Sequence, residues 1–208
     1  DTDTSLLKST DCCLSAKRGI DFPGEFGLIA PMATATLPRP AAKRLWTFDE
    51  MVAELPETNL PIELWDGEII MSPTPRPNHQ EIVFNFAREL REFVDAKRLG
   101  KVFLSPLDVI LSERRVVQPD VFFVSKPRLN LITDRVRCAP DLVVEIISEG
   151  SWRRDRVEKK ALYEQFGVRE YWIIDPEAQT MEVLALEKGS FKLVSRAELG
   201  ETAASKLL

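Results

Sequence analysis

Two acidic residues of this sequence stand where an acid needs a reason. Glu145 interrupts LVVEII, a run of otherwise large apolar side chains of the kind that forms a strand buried on both faces. An unpaired charge there costs several kcal/mol or more, so Glu145 must be protonated, paired or holding a cation. Asp120 follows Pro119 and opens a second apolar run, VFFV, twenty-five residues upstream. If the two runs are neighbouring strands, their carboxylates converge and repel. A hard divalent cation such as Mg²⁺ relieves that repulsion, and a metal so placed suits phosphoryl chemistry. Downstream, Asp155, Lys159 and Tyr163 are spaced by four and four, so they share one face of a helix that follows directly from the strand of Glu145. Lys159 can then fold back beside the acids and stabilise charge developing on a phosphate. The segment SWRRDRVEKK carries five basic residues against two acidic ones, a local positive field suited to a nucleic-acid backbone.

The elements that must position these residues begin at residue 47. TFDEMVAEL has a Thr47 cap with Glu50 three residues on, a capping box opening a short helix that Pro56 ends. IELWDGEIIMS alternates across Asp66-Gly67, a hairpin signal. After the loop SPTPRPN, with Asn78 as a plausible cap, the segment from His79 to Gly100 predicts a long helix. Its apolar face is Ile82, Phe86, Leu90 and Phe93, and Gly100 is its stop. Three strands follow, KVFLS, LDVILSE and VVQPDVFFVS, the last two joined by the charged turn ERR. KPRLNLITDRVRC reads as a connection with one helical turn. Then come DLVVEIIS, a helix from Trp152 to Phe166 ended by Gly167, the strand EYWIIDP, and a hairpin turning at Lys188-Gly189. The expected fold is α/β (α+β), a mixed central sheet flanked by helices with peripheral β-hairpins.

The chain has 208 residues, 44% apolar and 29% charged, which suits one soluble domain with a sizeable core. Its net charge of −5 excludes a globally basic nucleic-acid binder, so phosphate must be met by a local patch. Of three cysteines, Cys12 and Cys13 are adjacent and Cys138 is alone, a pattern of neither a zinc site nor a disulfide framework, which fits a reducing cytoplasm. No membrane span or secretory leader is readable. Residues 1–43 lack periodicity and read as a flexible leader to a single domain over 44–208, with Met32 the expected biological start.

The strings VVQPD, PDLVVEIIS and DRVEKKALYEQFGVREYWIIDP resemble the Uma-type family of restriction endonucleases within the PD-(D/E)XK nuclease superfamily. The resemblance runs over about residues 45–195 and includes IELWDGEIIMSPTPRPNHQEIV. It implies a restriction-endonuclease-like fold and a Mg²⁺-dependent endonuclease, with Mn²⁺ able to substitute, acting on DNA through a metal-activated water. Asp120 would be the first metal ligand, Glu145 the second and the Ile146 carbonyl the third. The lysine of the superfamily usually lies two residues after the acid, where this sequence has Ile147. The resemblance implies that Lys159 takes its place, with Lys160 the fallback. Glu63 and His79 would support the site, as would Asp155 and Tyr163. Arg153, Arg154, Arg156 and Lys160 would meet nucleic acid, and a homodimer would supply one site per strand.

Each residue has a plainer reading. Asp120 after proline often only shapes a turn. Glu145 and Lys159 can form a purely structural ion pair, Asp155 a helix-face salt bridge, and Tyr163 a core contact. The basic run can be a solvated helix face. An inactive nucleic-acid-binding or regulatory protein on the same scaffold is the alternative to the enzyme.

Overall fold

The computed structural model describes residues 44–56, 61–148 and 150–208, all within one compact unit, Arg44–Leu208. The leader and the start at Met32 lie outside the described residues. Helix α1 (Phe48–Glu54) opens with the capping box, the Thr47 side chain accepting from the Glu50 amide and Glu50 from the Thr47 amide. Strands β1 (Ile62–Trp65) and β2 (Glu68–Met71) form the hairpin, with Asp66 and Gly67 both at positive φ, as a tight two-residue turn requires. This hairpin does not stand alone. It joins β5 (Arg115–Val117) and β4 (Val109–Ser112) in a four-stranded sheet, order β2-β1-β5-β4, whose apolar face packs on Phe48 and Met51 of α1.

The larger sheet has the order β10-β9-β8-β7-β6-β3. It comprises β3 (Gly100–Leu104), β6 (Val121–Ser125), β7 (Leu142–Ile146), β8 (Glu170–Asp175), β9 (Thr180–Glu187) and β10 (Ser190–Glu198). The β9–β10 hairpin forms one edge of it, turning at Lys188-Gly189. Among the described strands only β7 and β8 pair in parallel, and the helix between them makes the crossover that a parallel pair needs. Alternation divides the core. Val121, Phe123, Leu142, Val144 and Ile146 face α2 (Pro77–Ala96), while Phe122, Val124 and Val143 face α3 (Lys160–Gln165).

Four expectations need correction. VVQPDVFFVS is not one strand: β5 ends at Val117 in the small sheet and β6 starts at Val121 in the large one. Pro119 has no N–H for a ladder, and the Gln118 amide is taken by the Glu63 carboxylate at 3.1 Å, so the chain changes sheets there. Helix α2 starts earlier than expected, with Arg76 at its cap and Pro77 in the first turn, a favoured proline position, so Asn78 is not the cap. Its buried face is Val83, Ala87, Leu90 and Val94; Ile82 and Phe86 pack at its border, and Phe93 stays exposed under the Lys97 ammonium. Gly100 does not stop the helix. It lies in β3, where a Cβ would come 2.1 Å from the Val124 carbonyl oxygen, so only glycine allows the approach.

Candidate active site

The alternation of β7 explains the placement of Glu145. Leu142, Val144 and Ile146 turn to α2, so Val143 and Glu145 turn to α3. The helix after β7 runs through a π-helical stretch, Arg154–Lys159, before becoming α3. From it Lys159 Nζ comes to 2.8 Å from Glu145 Oε2, and from α3 the Tyr163 hydroxyl donates to Oε1 at 2.7 Å. Glu145 is therefore paired, the second of the three alternatives its sequence position allows. Burial pushes its carboxyl up, to about 8, with Lys159 opposing and Asp120 and Asp155 adding to the rise. Burial acts on Lys159 in the other direction, but the charges of Glu145, Glu63, Asp155 and Asp120 outweigh it and hold the ammonium form.

Asp120 reaches the same place from β6. Val121 pairs with Val144, so Asp120, one residue earlier, arrives beside Glu145. Its Oδ2 accepts the Ile146 amide at 2.8 Å, and its Oδ1 lies 3.1 Å from His79 Nε2. The hydrogen bond to Asp120 raises the His79 imidazole above its ordinary value, against the effect of burial.

Glu63 comes from the other sheet and is 4% exposed. It accepts from Trp65 Nε1 and the Gln118 amide, and lies 3.9 Å from Lys159 and 3.7 Å from Arg154. Asp155, also buried, lies 3.6 Å from Lys159 and accepts from Ser151 Oγ at 2.6 Å. Burial raises its carboxyl, with Lys159 opposing. The Tyr171 hydroxyl donates to the Asp155 carbonyl. Trp65, Gln118 and Ser151 join the site beyond the residues that sequence pattern points to. Ser151 and Trp65 carry a local signal, lying four residues before Asp155 and two after Glu63; Gln118 carries none, because its contact with Glu63 crosses between distant elements.

The basic run does not form one stripe. Arg153 is exposed and lies 3.7 Å from Glu158. Arg154 turns in to Glu63, Ser72 and the Trp65 ring. Arg156 is tied to Glu182 and Asp175, and Lys160 lies 3.9 Å from Glu164.

Among the described residues, no three His, Cys, Asp or Glu side chains gather round one point as a metal cluster. The donor set nevertheless fits a hard cation. Four carboxyl groups, Glu63, Asp120, Glu145 and Asp155, face Lys159 and Arg154, with the His79 imidazole beside Asp120. Among the described residues each oxygen of Asp120 and Glu145 meets one protein donor, and a carboxylate oxygen accepts about two. Adjacent carboxylates with acceptor capacity to spare, beside a strand carbonyl at Ile146, are the all-oxygen surroundings that Mg²⁺ or Mn²⁺ takes. Among the described residues no helix is long and apolar enough to cross a membrane.

The family described as "Uma2: Putative restriction endonuclease" matches residues 48–208. Among solved structures, the chain is similar to one described as "a putative nuclease belonging to DUF820 from Anabaena variabilis". The two share 25% identity with a TM-score of 0.62, over 71% of this chain and 83% of that one. A weaker likeness is to the type IIG restriction endonuclease BpuSI, at 10% identity and a TM-score of 0.37, over 62% of this chain and 14% of that one. That score is too low to argue from. No curated protein matches the chain.

Proposed function

The chain belongs to the Uma2 restriction endonuclease family, and from that membership and the site we propose that it is a divalent-metal-dependent endonuclease cutting DNA by water attack on a phosphodiester. The observation that carries this reading is the contact of Lys159 with Glu145, 2.8 Å apart, beside Asp120 on the neighbouring strand. On this reading the helix cation serves as the counterpart of the superfamily's strand lysine.

Asp120, Glu145 and the Ile146 carbonyl would hold Mg²⁺, with Mn²⁺ able to replace it. A cation bound there supplies Lewis-acid polarisation of a phosphoryl oxygen and a water of lowered pKa. The rest belongs to the chain. Lys159, kept protonated by its carboxylates, offers N–H donors to the attacking water or to charge growing on the phosphate. Tyr163 fixes the rotation of Glu145, and Asp155, held by Ser151, sets Lys159 from its other side. Arg153, the most exposed of the run, is the proposed first contact to the DNA backbone, with Lys160, further along the helix, a second. Arg154 and Arg156 hold the fold around the site through their acids. Residues 44–208 would form the nuclease domain, and a homodimer would bring one site to each strand.

Supercoiled plasmid with Mg²⁺ or Mn²⁺ tests the assignment. Wild type is expected to nick and linearise it, and Asp120→Ala and Lys159→Ala to lose the activity. Equal cleavage by all three would end the assignment. A second reading, a non-cleaving nucleic-acid-binding protein, draws on the engagement of Lys159 with three carboxylates at once. DNA binding indifferent to metal, without cleavage, would select it.

A further inference from the structure

The geometry points to His79 as the residue that fixes the orientation of Asp120 for cation binding, an inference that rests on the nuclease reading above. A carboxylate at the start of a strand turns freely about its last side-chain bond unless both oxygens are held. Asp120 Oδ2 is held by the Ile146 amide at 2.8 Å, and His79 Nε2, 3.1 Å from Oδ1, supplies the second point. A carboxylate only accepts, so Nε2 carries the proton and donates it.

Rigid parts deliver this contact. His79 is in the first turn of α2, four residues before Val83, so the two share a face. Val83 is 1% exposed and packs in the cluster that contains Val121, Val144 and Ile146, the residues flanking Asp120 and Glu145. The helix face that seals the sheet therefore also sets the imidazole against the first acid. Among the described residues His79 Nδ1 is buried without a hydrogen-bond partner, so none of their other hydrogen bonds explains the direction of the ring. Partners that orient a metal-binding group in this way are worth about 10–100-fold in metal affinity. His79 touches no reacting atom in this arrangement; its part is positioning.

The test is Mn²⁺ affinity by calorimetry on the full chain, alongside thermal melting in chelator. Wild type is expected to bind, and His79→Ala to bind about 10–100-fold more weakly. His79→Gln, whose amide N–H reaches to where Nε2 lies, is expected to recover most of the loss. Should the alanine variant fail to fold, His79→Leu fills the space without a donor and is expected to show the same loss. Unchanged affinity in the alanine or leucine variant, with wild type binding, overturns this inference alone. So does a glutamine variant no better than leucine, since the donor would then not matter. Absence of binding by wild type overturns the nuclease reading and this inference together.

Discussion

Replacing Lys159 with methionine removes a charge while keeping most of the side chain's length and apolar stem. In the wild type one ammonium lies 2.8 Å from Glu145, 3.6 Å from Asp155 and 3.9 Å from Glu63, all three acids buried. Deleting one partner of a buried pair costs about 3–5 kcal/mol, because the other charge stays behind without compensation. For a domain of this size each kcal/mol lowers the melting temperature by about 2–4 °C, so the expected fall is about 6–20 °C. The assay is thermal melting in chelator at pH 8.5, above the value near 8 to which burial raises Glu145, so that its carboxyl is ionised. At pH 5 Glu145 takes a proton and the gap between variant and wild type narrows. Adding Glu145→Gln to Lys159→Met should make the double variant more stable than the two single losses predict, by about 0.5–3 kcal/mol. A Lys159→Met protein that melts within about 2 °C of wild type at pH 8.5, less than one kcal/mol, would refute the reasoning, since the three acids could not then depend on one ammonium.

Two further outcomes follow from the same structure. Glu145 is raised in the folded chain above its ordinary 4.5, so its contribution to stability is full below that value and is lost as pH rises toward 8. His79, also raised, acts in the same direction. The cation-free protein is therefore expected to lose stability from about pH 4.5 to 8, and a melting temperature level or rising over that window contradicts it. Gly100→Ala sets a methyl group 2.1 Å from the Val124 carbonyl oxygen, and is expected to cost about 1–3 kcal/mol by forcing β3 away from β6. A denaturant midpoint unchanged from wild type would show that the strands give way freely.

Much of the frame is legible in local pattern. The Thr47–Glu50 capping box and the Asp66-Gly67 turn depend on residues within four positions of one another, and the structure forms both. The spacing of Asp155, Lys159 and Tyr163 is enough to anticipate a shared face, and the buried setting of Glu145 is enough to require a partner. The misreadings arise where a distant element decides. Nothing in VVQPDVFFVS tells that Glu63 takes the Gln118 amide, so periodicity alone runs the strand through Pro119. Gly100 looks like a helix stop because its real constraint, the Val124 carbonyl, belongs to another strand.

The passage of the chain from β5 to β6 has a consequence for how the site comes apart. Gln118 and Asp120 are two residues apart, yet the first is tied to Glu63 in the small sheet and the second to Ile146 in the large one. Glu63 in turn lies beside Lys159 and Arg154. If the small sheet opens while the large sheet stays folded, Lys159 loses one of its acids and the tether just before Asp120 is released. Local fraying of that sheet, ordinarily a cheap motion, thus carries the electrostatic cost of breaking a buried ion cluster. The small sheet and the centre at Asp120 and Glu145 are therefore expected to open together, through the contacts of Glu63.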